Sequence, residues 1–169
     1  MIQKPTAVIL LTASHRFQGE INTGGQRLQE ILNNSLSDYV QLDNAQIYTL
    51  TNQTEMLHAE KRAIVHKPQI QLAVLGEQKH EAPVKRQNYR VEKSFHEVFC
   101  VAGSYEVTGL LHLPRYTVDT IAILARDLKV FFPLTEATVT YDVRSRSTLN
   151  ANVVLVNKVA LSLFQISDG

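Results

Sequence analysis

Val8-Ile9-Leu10-Leu11, followed by Phe17-Gln18-Gly19-Glu20-Ile21, decides how this chain is read, because the same pattern returns ninety residues later. It reappears as Val98-Phe99-Cys100-Val101 and then Val107-Thr108-Gly109-Leu110-Leu111. Tyr39-Val40-Gln41-Leu42-Asp43-Asn44-Ala45-Gln46-Ile47 likewise returns as Phe131-Phe132-Pro133-Leu134-Thr135-Glu136-Ala137-Thr138-Val139, and Val65-His66-Lys67 as Val156-Asn157-Lys158. Self-similarity at this period predicts two tandem units. They span residues 1–75 and 95–169, joined by a polar, basic linker over 76–94. Units of this size are near the lower limit for burying a sufficient core alone, so they are expected to pack on each other.

Each unit reads as mainly β, with α+β character only at the margin. An apolar, β-branched run over 6–13 suits a strand buried on both faces, and 15–22 alternates as a half-exposed strand. Leu28, Ile31, Leu32 and Leu36 fall at helical spacing opposite Gln29, Glu30, Asn33 and Asn34. Two strands are expected around a turn at Asp43-Asn44, and two more near 57–66 and 69–75. The second unit repeats this order: strands near 96–102 and 105–113, a helix near 117–128, then strands near 129–134, 137–143, 149–156 and 159–166. The predicted architecture is two bent antiparallel sheets or small β-barrels, each with one short helix, related by a pseudo-twofold. A single barrel intertwining both sets of strands is the alternative.

Composition excludes several classes. The net charge of +1 argues against an obligate polyanion binder, so nucleic acid is not the expected partner. Cys100 is the only cysteine, which rules out an intrachain disulfide and a cysteine-rich zinc site. Its apolar neighbours mark it as a buried small hydrophobe. No stretch approaches the roughly 20 apolar residues that span a bilayer, and the run Ala7 to Leu11 is too brief for a secretory signal core. A cytoplasmic protein without membrane contact is the default.

Recurring residues are the candidates for function. Gly19 and Gly109 occupy one position in both units, where a glycine marks a bulge, a bend or close backbone approach. Lys67 and Lys158 match in the turn before the last strand. They are read as solvated turn residues, with anion binding at symmetric sites as the functional alternative. Among six histidines none has metal-ligand spacing to another, so no metal and no cofactor is expected. His112, with Arg115 and Tyr116, is the place where a ligand or an enzyme site confined to the second unit would lie. Lys85-Arg86-Gln87-Asn88-Tyr89-Arg90 interleaves cations with an aromatic, as a weak nucleic-acid binder would. The helix over 118–128 is apolar nearly all round and is expected to be buried between the units or in a contact with a homodimer mate or protein partner, with a greasy ligand pocket as the third option.

At Gly109-x-Leu111, Phe131 to Ala137 and Val156-Asn157-Lys158, the chain resembles a bacterial family of small β-rich domains with no assigned activity. The likeness covers most of the second unit and, in the first, Gln41 to Ala45 and Val65-His66-Lys67. The strand–Gly–strand opening is also faintly similar to Sm-like small barrels, although the helix here follows the second strand. The resemblance implies a β-rich fold and carries over no catalytic residues. The function expected is a non-catalytic binding or protein-interaction module, acting through a groove between the units.

Overall fold

Runs of apolar and β-branched residues pair throughout the computed structural model, which describes residues 4–76, 93–114, 119–142 and 145–167. In the first half these are β1 (Thr6–Leu11), β2 (His15–Ile21), β3 (Tyr39–Thr49), β4 (His58–His66) and β5 (Leu72–Leu75), with helix α1 (Leu28–Asn33) after β2. The second half has β6 (Lys93–Ala102), β7 (Tyr105–Pro114), β8 (Phe131–Asp142), β9 (Ser147–Asn157) and β10 (Leu161–Ile166), with a single helical turn, α2 (Thr120–Ala122), after β7. The ten strands form one open antiparallel sheet in the order β10-β6-β7-β8-β9-β5-β1-β2-β3-β4. Two separate sheets or closed barrels were expected; instead β5 pairs with β9, Leu72 opposite Val156 through Leu75 opposite Val153, and makes the sheet continuous.

The order within each half is the same, and so are the registers. Val8 faces Gly19 as Val98 faces Gly109, and Tyr39 faces His66 as Phe131 faces Asn157. A register shift between Gln18 and Glu20 against β3 recurs between Thr108 and Leu110 against β8. At these bulges Asn44 and Glu136 take left-handed backbone, with φ of 51° and 48°. Asp43-Asn44 therefore adds a residue within one strand and does not reverse the chain, correcting the expected turn. The two strands expected near 129–134 and 137–143 likewise merge into the single strand β8, Phe131–Asp142.

The glycines let these bulges close. A Cβ on Gly19 would lie 2.6 Å from the Asp43 carbonyl oxygen, and one on Gly109 would lie 3.0 Å from the Leu134 Cβ. Gly19→Ala should therefore cost about 2–3 kcal/mol and Gly109→Ala about 1–2 kcal/mol, as overpacking does. Urea denaturation of both variants checks this; equal or negligible losses would contradict the steric account.

The core lies on both faces of the sheet. Val8, Leu10, Val40, Leu42 and Val65 join one buried cluster, while their counterparts Val98, Cys100, Phe132, Leu134 and Val156 join another. Alternate residues of β5 feed both: Leu72 and Val74 enter the second half's cluster, Ala73 and Leu75 the first half's. Successive side chains of a strand point to opposite faces, so the central strands are covered on each side. α1 adds Leu28 and Leu32 to its own half's core and reaches across to the second half. There Asn33 accepts from the Phe131 N–H at 2.8 Å and donates to its carbonyl at 2.9 Å.

The second helix differs from expectation. α2 runs into a π turn over Ile123–Asp127, and of this segment only Ile123 is buried, with Ile121 78% exposed. It is not enclosed between the halves. Among the described residues no helix is long and apolar enough to cross a membrane. β6 begins at Lys93, inside the segment expected to be linker; residues 77–92, including the 85–90 cluster, lie outside the described residues.

Candidate functional site

The two recurring lysines have one structural job. Lys67 opens a 3-10 turn, Lys67–Gln69, and is 6% exposed. Its Nζ donates to the Asn34 carbonyl at 3.0 Å and the Ser37 carbonyl at 2.7 Å, closing the exit of α1. Lys158 opens the equivalent turn, Lys158–Ala160, and its Nζ donates to the Leu124 and Leu128 carbonyls at 2.8 and 2.9 Å, closing the exit of the π turn that follows α2. The last carbonyls of a helix have no intrahelical partner, and a cation there satisfies them. Lys67 is thus a buried clamp, not the solvated turn residue expected. Desolvation lowers its pKa, and the nearby Asp38 partly offsets this.

His112 lies on the face of β7 opposite Leu111 and Leu113. Its Nε2 shares a 2.8 Å hydrogen bond with the Thr135 Oγ1, and its ring meets Phe95 edge-on at 4.4 Å. Arg115 and Tyr116 fall outside the described residues. Lys67, Lys158 and His112 are each engaged by separate partners. Cys100 is fully buried, and desolvation pushes its thiol up to about 12, far from a reactive thiolate. Among the described residues no three His, Cys, Asp or Glu side chains group as a metal site.

An open concavity lies elsewhere, where the two halves join. β9 is eleven residues long but β5 covers only Val153 to Val156, so Ser147 to Asn152 has no strand on that side among the described residues. A groove of about 550 Å³ opens there. Ile9, Val74 and Leu75 from the first half and Ala137, Leu149 and Ala151 from the second make its apolar lining. Glu136, Thr138, Asn150 and Asn152 supply the polar groups, and the Thr138 hydroxyl donates to the Asn150 Oδ1 at 2.9 Å.

Glu136 also borders a second concavity of about 410 Å³, beside Glu97, Thr108, Gly109 and Ser167. A glutamate in left-handed backbone is uncommon, whereas its counterpart Asn44 suits that conformation. The sequence reading passed over Glu136. The available signal was that it stands where the first half keeps a residue tolerant of positive φ. Comparison of the chain with protein-family models, curated proteins and solved structures returns no match.

Proposed function

We propose that the chain is a non-catalytic binding module made of two tandem copies of one five-strand unit, and that the groove at their junction takes an extended peptide segment. The equal strand order and registers support the duplication. Five is odd and all neighbours are antiparallel, so passing from one unit to the next reverses strand direction and turns the sheet over. A half-turn of this kind accounts for the cores lying on opposite faces.

The observation carrying the binding proposal is the stretch Ser147 to Asn152, which has no strand neighbour on that side among the described residues, beside an apolar groove. Main-chain groups of such a stretch pair with an added strand, and alternate side chains of the guest enter the lining. Glu136 favours a cationic side chain in that guest. Cys100 is buried and both clamp lysines are bound to carbonyls, so none of these three side chains stands free for a reaction.

Titrating the protein with an alternating Val-Lys hexapeptide, followed by amide NMR, tests this. Shifts should concentrate at Leu149 to Asn152 and Glu136 to Thr138 and vanish in Ala151→Trp, which fills the groove. Glu136→Asn should weaken binding several-fold while raising stability by about 0.5–1 kcal/mol, because Asn accepts positive φ more readily. Shifts centred elsewhere, or cleavage of the peptide, would overturn the proposal.

A further inference from the structure

The internal junction between β9 and β5 is also a template for the two outer edges of the sheet. Neither β4 nor β10 has a second strand neighbour among the described residues. β4 holds the place in the first half that β9 holds in the second, and β10 the place of β5. We propose that the chain associates head-to-tail with further copies of itself, β4 of one molecule pairing with β10 of the next as β9 pairs with β5 within each. This rests on the equivalence of the two units and is independent of what fills the groove.

The offset from Lys67 to Lys158 carries the internal register outward. Leu72 opposite Val156 becomes Leu163 opposite Val65, and Ala73 opposite Leu155 becomes Phe164 opposite Ile64. Strand direction fits, because in an alternating sheet of ten strands the outermost two run opposite ways, so β10 of a second molecule meets β4 antiparallel. The edges carry the exposed apolar residues that such a contact would cover. Ile64 is 62% exposed where its counterpart Leu155 is 2%, and Leu163 is 47% exposed where Leu72 is fully buried.

The same holds beyond the two edge strands. Tyr39 is 58% exposed, whereas its counterpart Phe131 is buried and hydrogen-bonded by α1. In the outward contact Tyr39 would lie under the neighbour's α2, where Ile121 is exposed. Edge strands in soluble proteins are usually blunted by charge, proline or a cover. β10, Leu161-Ser162-Leu163-Phe164-Gln165-Ile166, has no charge and no proline. Charge on β4 is concentrated toward its start, at Glu60, Lys61 and Arg62, leaving Ala63-Ile64-Val65 apolar.

The outer contact is weaker than its template, since Arg62 stands where the internal junction has Val153, and Gln165 where it has Val74. Association should therefore be reversible and concentration-dependent. A contact using two different edges is heterologous and continues into rings or filaments unless capped.

Sedimentation velocity between about 5 and 500 μM tests the proposal on wild type, Ile64→Lys and Leu163→Lys. Both positions are exposed, so the variants should fold, as circular dichroism will show. Wild type should rise from the 19.0 kDa monomer to species of at least twice that mass. Each variant alone should stay monomeric. An equimolar mixture should regain a dimer and nothing larger, because it retains one intact edge pair. A wild type monomeric at every concentration would overturn self-association. So would a Leu163→Lys variant that still dimerises, which would indicate β4 pairing with β4, or a mixture that stays monomeric. Amide exchange at Leu72 to Leu75 in the same samples reads the internal junction, so a failed outer contact is separable from a wrong assignment of the units.

Discussion

Leu72→Ala is expected to lower stability by about 3–5 kcal/mol, in the range of buried leucine truncations, and to leave a single unfolding transition. Leu72 is fully buried on a strand flanked by Leu11 of β1 and Val156 of β9. Although it belongs to the first half, its side chain lies in the second half's cluster, with Val156 of β9 opposite it across the ladder. The loss is a large share of the ~5–15 kcal/mol that holds an ordinary domain. Guanidinium unfolding followed by circular dichroism at two wavelengths measures it. If the halves fold independently, the variant will instead show two separated transitions, with only the second half weakened.

The second large effect concerns Lys67. Lys67→Met should cost about 2–3 kcal/mol, because the Asn34 and Ser37 carbonyls lose the donor that the buried Lys67 side chain brings to them. Lys158→Met should cost less, about 1–2 kcal/mol, since its site is partly exposed and solvent can replace the ammonium. The pH dependence separates a buried clamp from a surface lysine. Burial lowers the folded-state pKa of Lys67 below its ordinary 10.5. Below that depressed value both states hold the proton and the desolvation penalty is fully present. As pH rises from there toward 10.5 the unfolded state holds more protons than the folded one, so this group's contribution to stability increases. That increment should be present in wild type and absent in Lys67→Met. An identical pH slope in both would show that the amine is hydrated.

Much of the β architecture was legible because the pattern is local. The alternation through Phe17, Gly19 and Ile21 and its return through Val107, Gly109 and Leu111 marked paired strands and a repeated close approach. Leu72 to Leu75 and Val153 to Val156 are unbroken apolar runs, the mark of strands covered on both faces. Their pairing was not legible, because it joins segments far apart in sequence and has no local signal. Asp43-Asn44 looked like a turn because Asn favours left-handed backbone; the residue does adopt it, but in a bulge that bends the strand without reversing it.

The apolar centre of 118–128 suggested enclosure. Asp119 caps a helix of only one turn, and Lys158 binds the carbonyls at its exit, so little more than Ile123 turns inward. Of the site, the recurrence of Lys67 and Lys158 was visible, but recurrence alone does not say whether an amine faces water or carbonyls. The groove was anticipated only as a place between units; its lining depends on how far β5 extends along β9.

That short β5 also sets a hazard during synthesis. Leu75 leaves the ribosome well before Val153, and at a typical ~5–20 residues per second the interval is on the order of 4–16 s. Through that time the nascent first half has a wholly apolar strand, paired with β1 on one side only, at its growing edge, a configuration prone to capture a neighbouring chain. Expression yield should therefore depend on holdase chaperones more than final stability implies, and slower translation of the second half should lower it further.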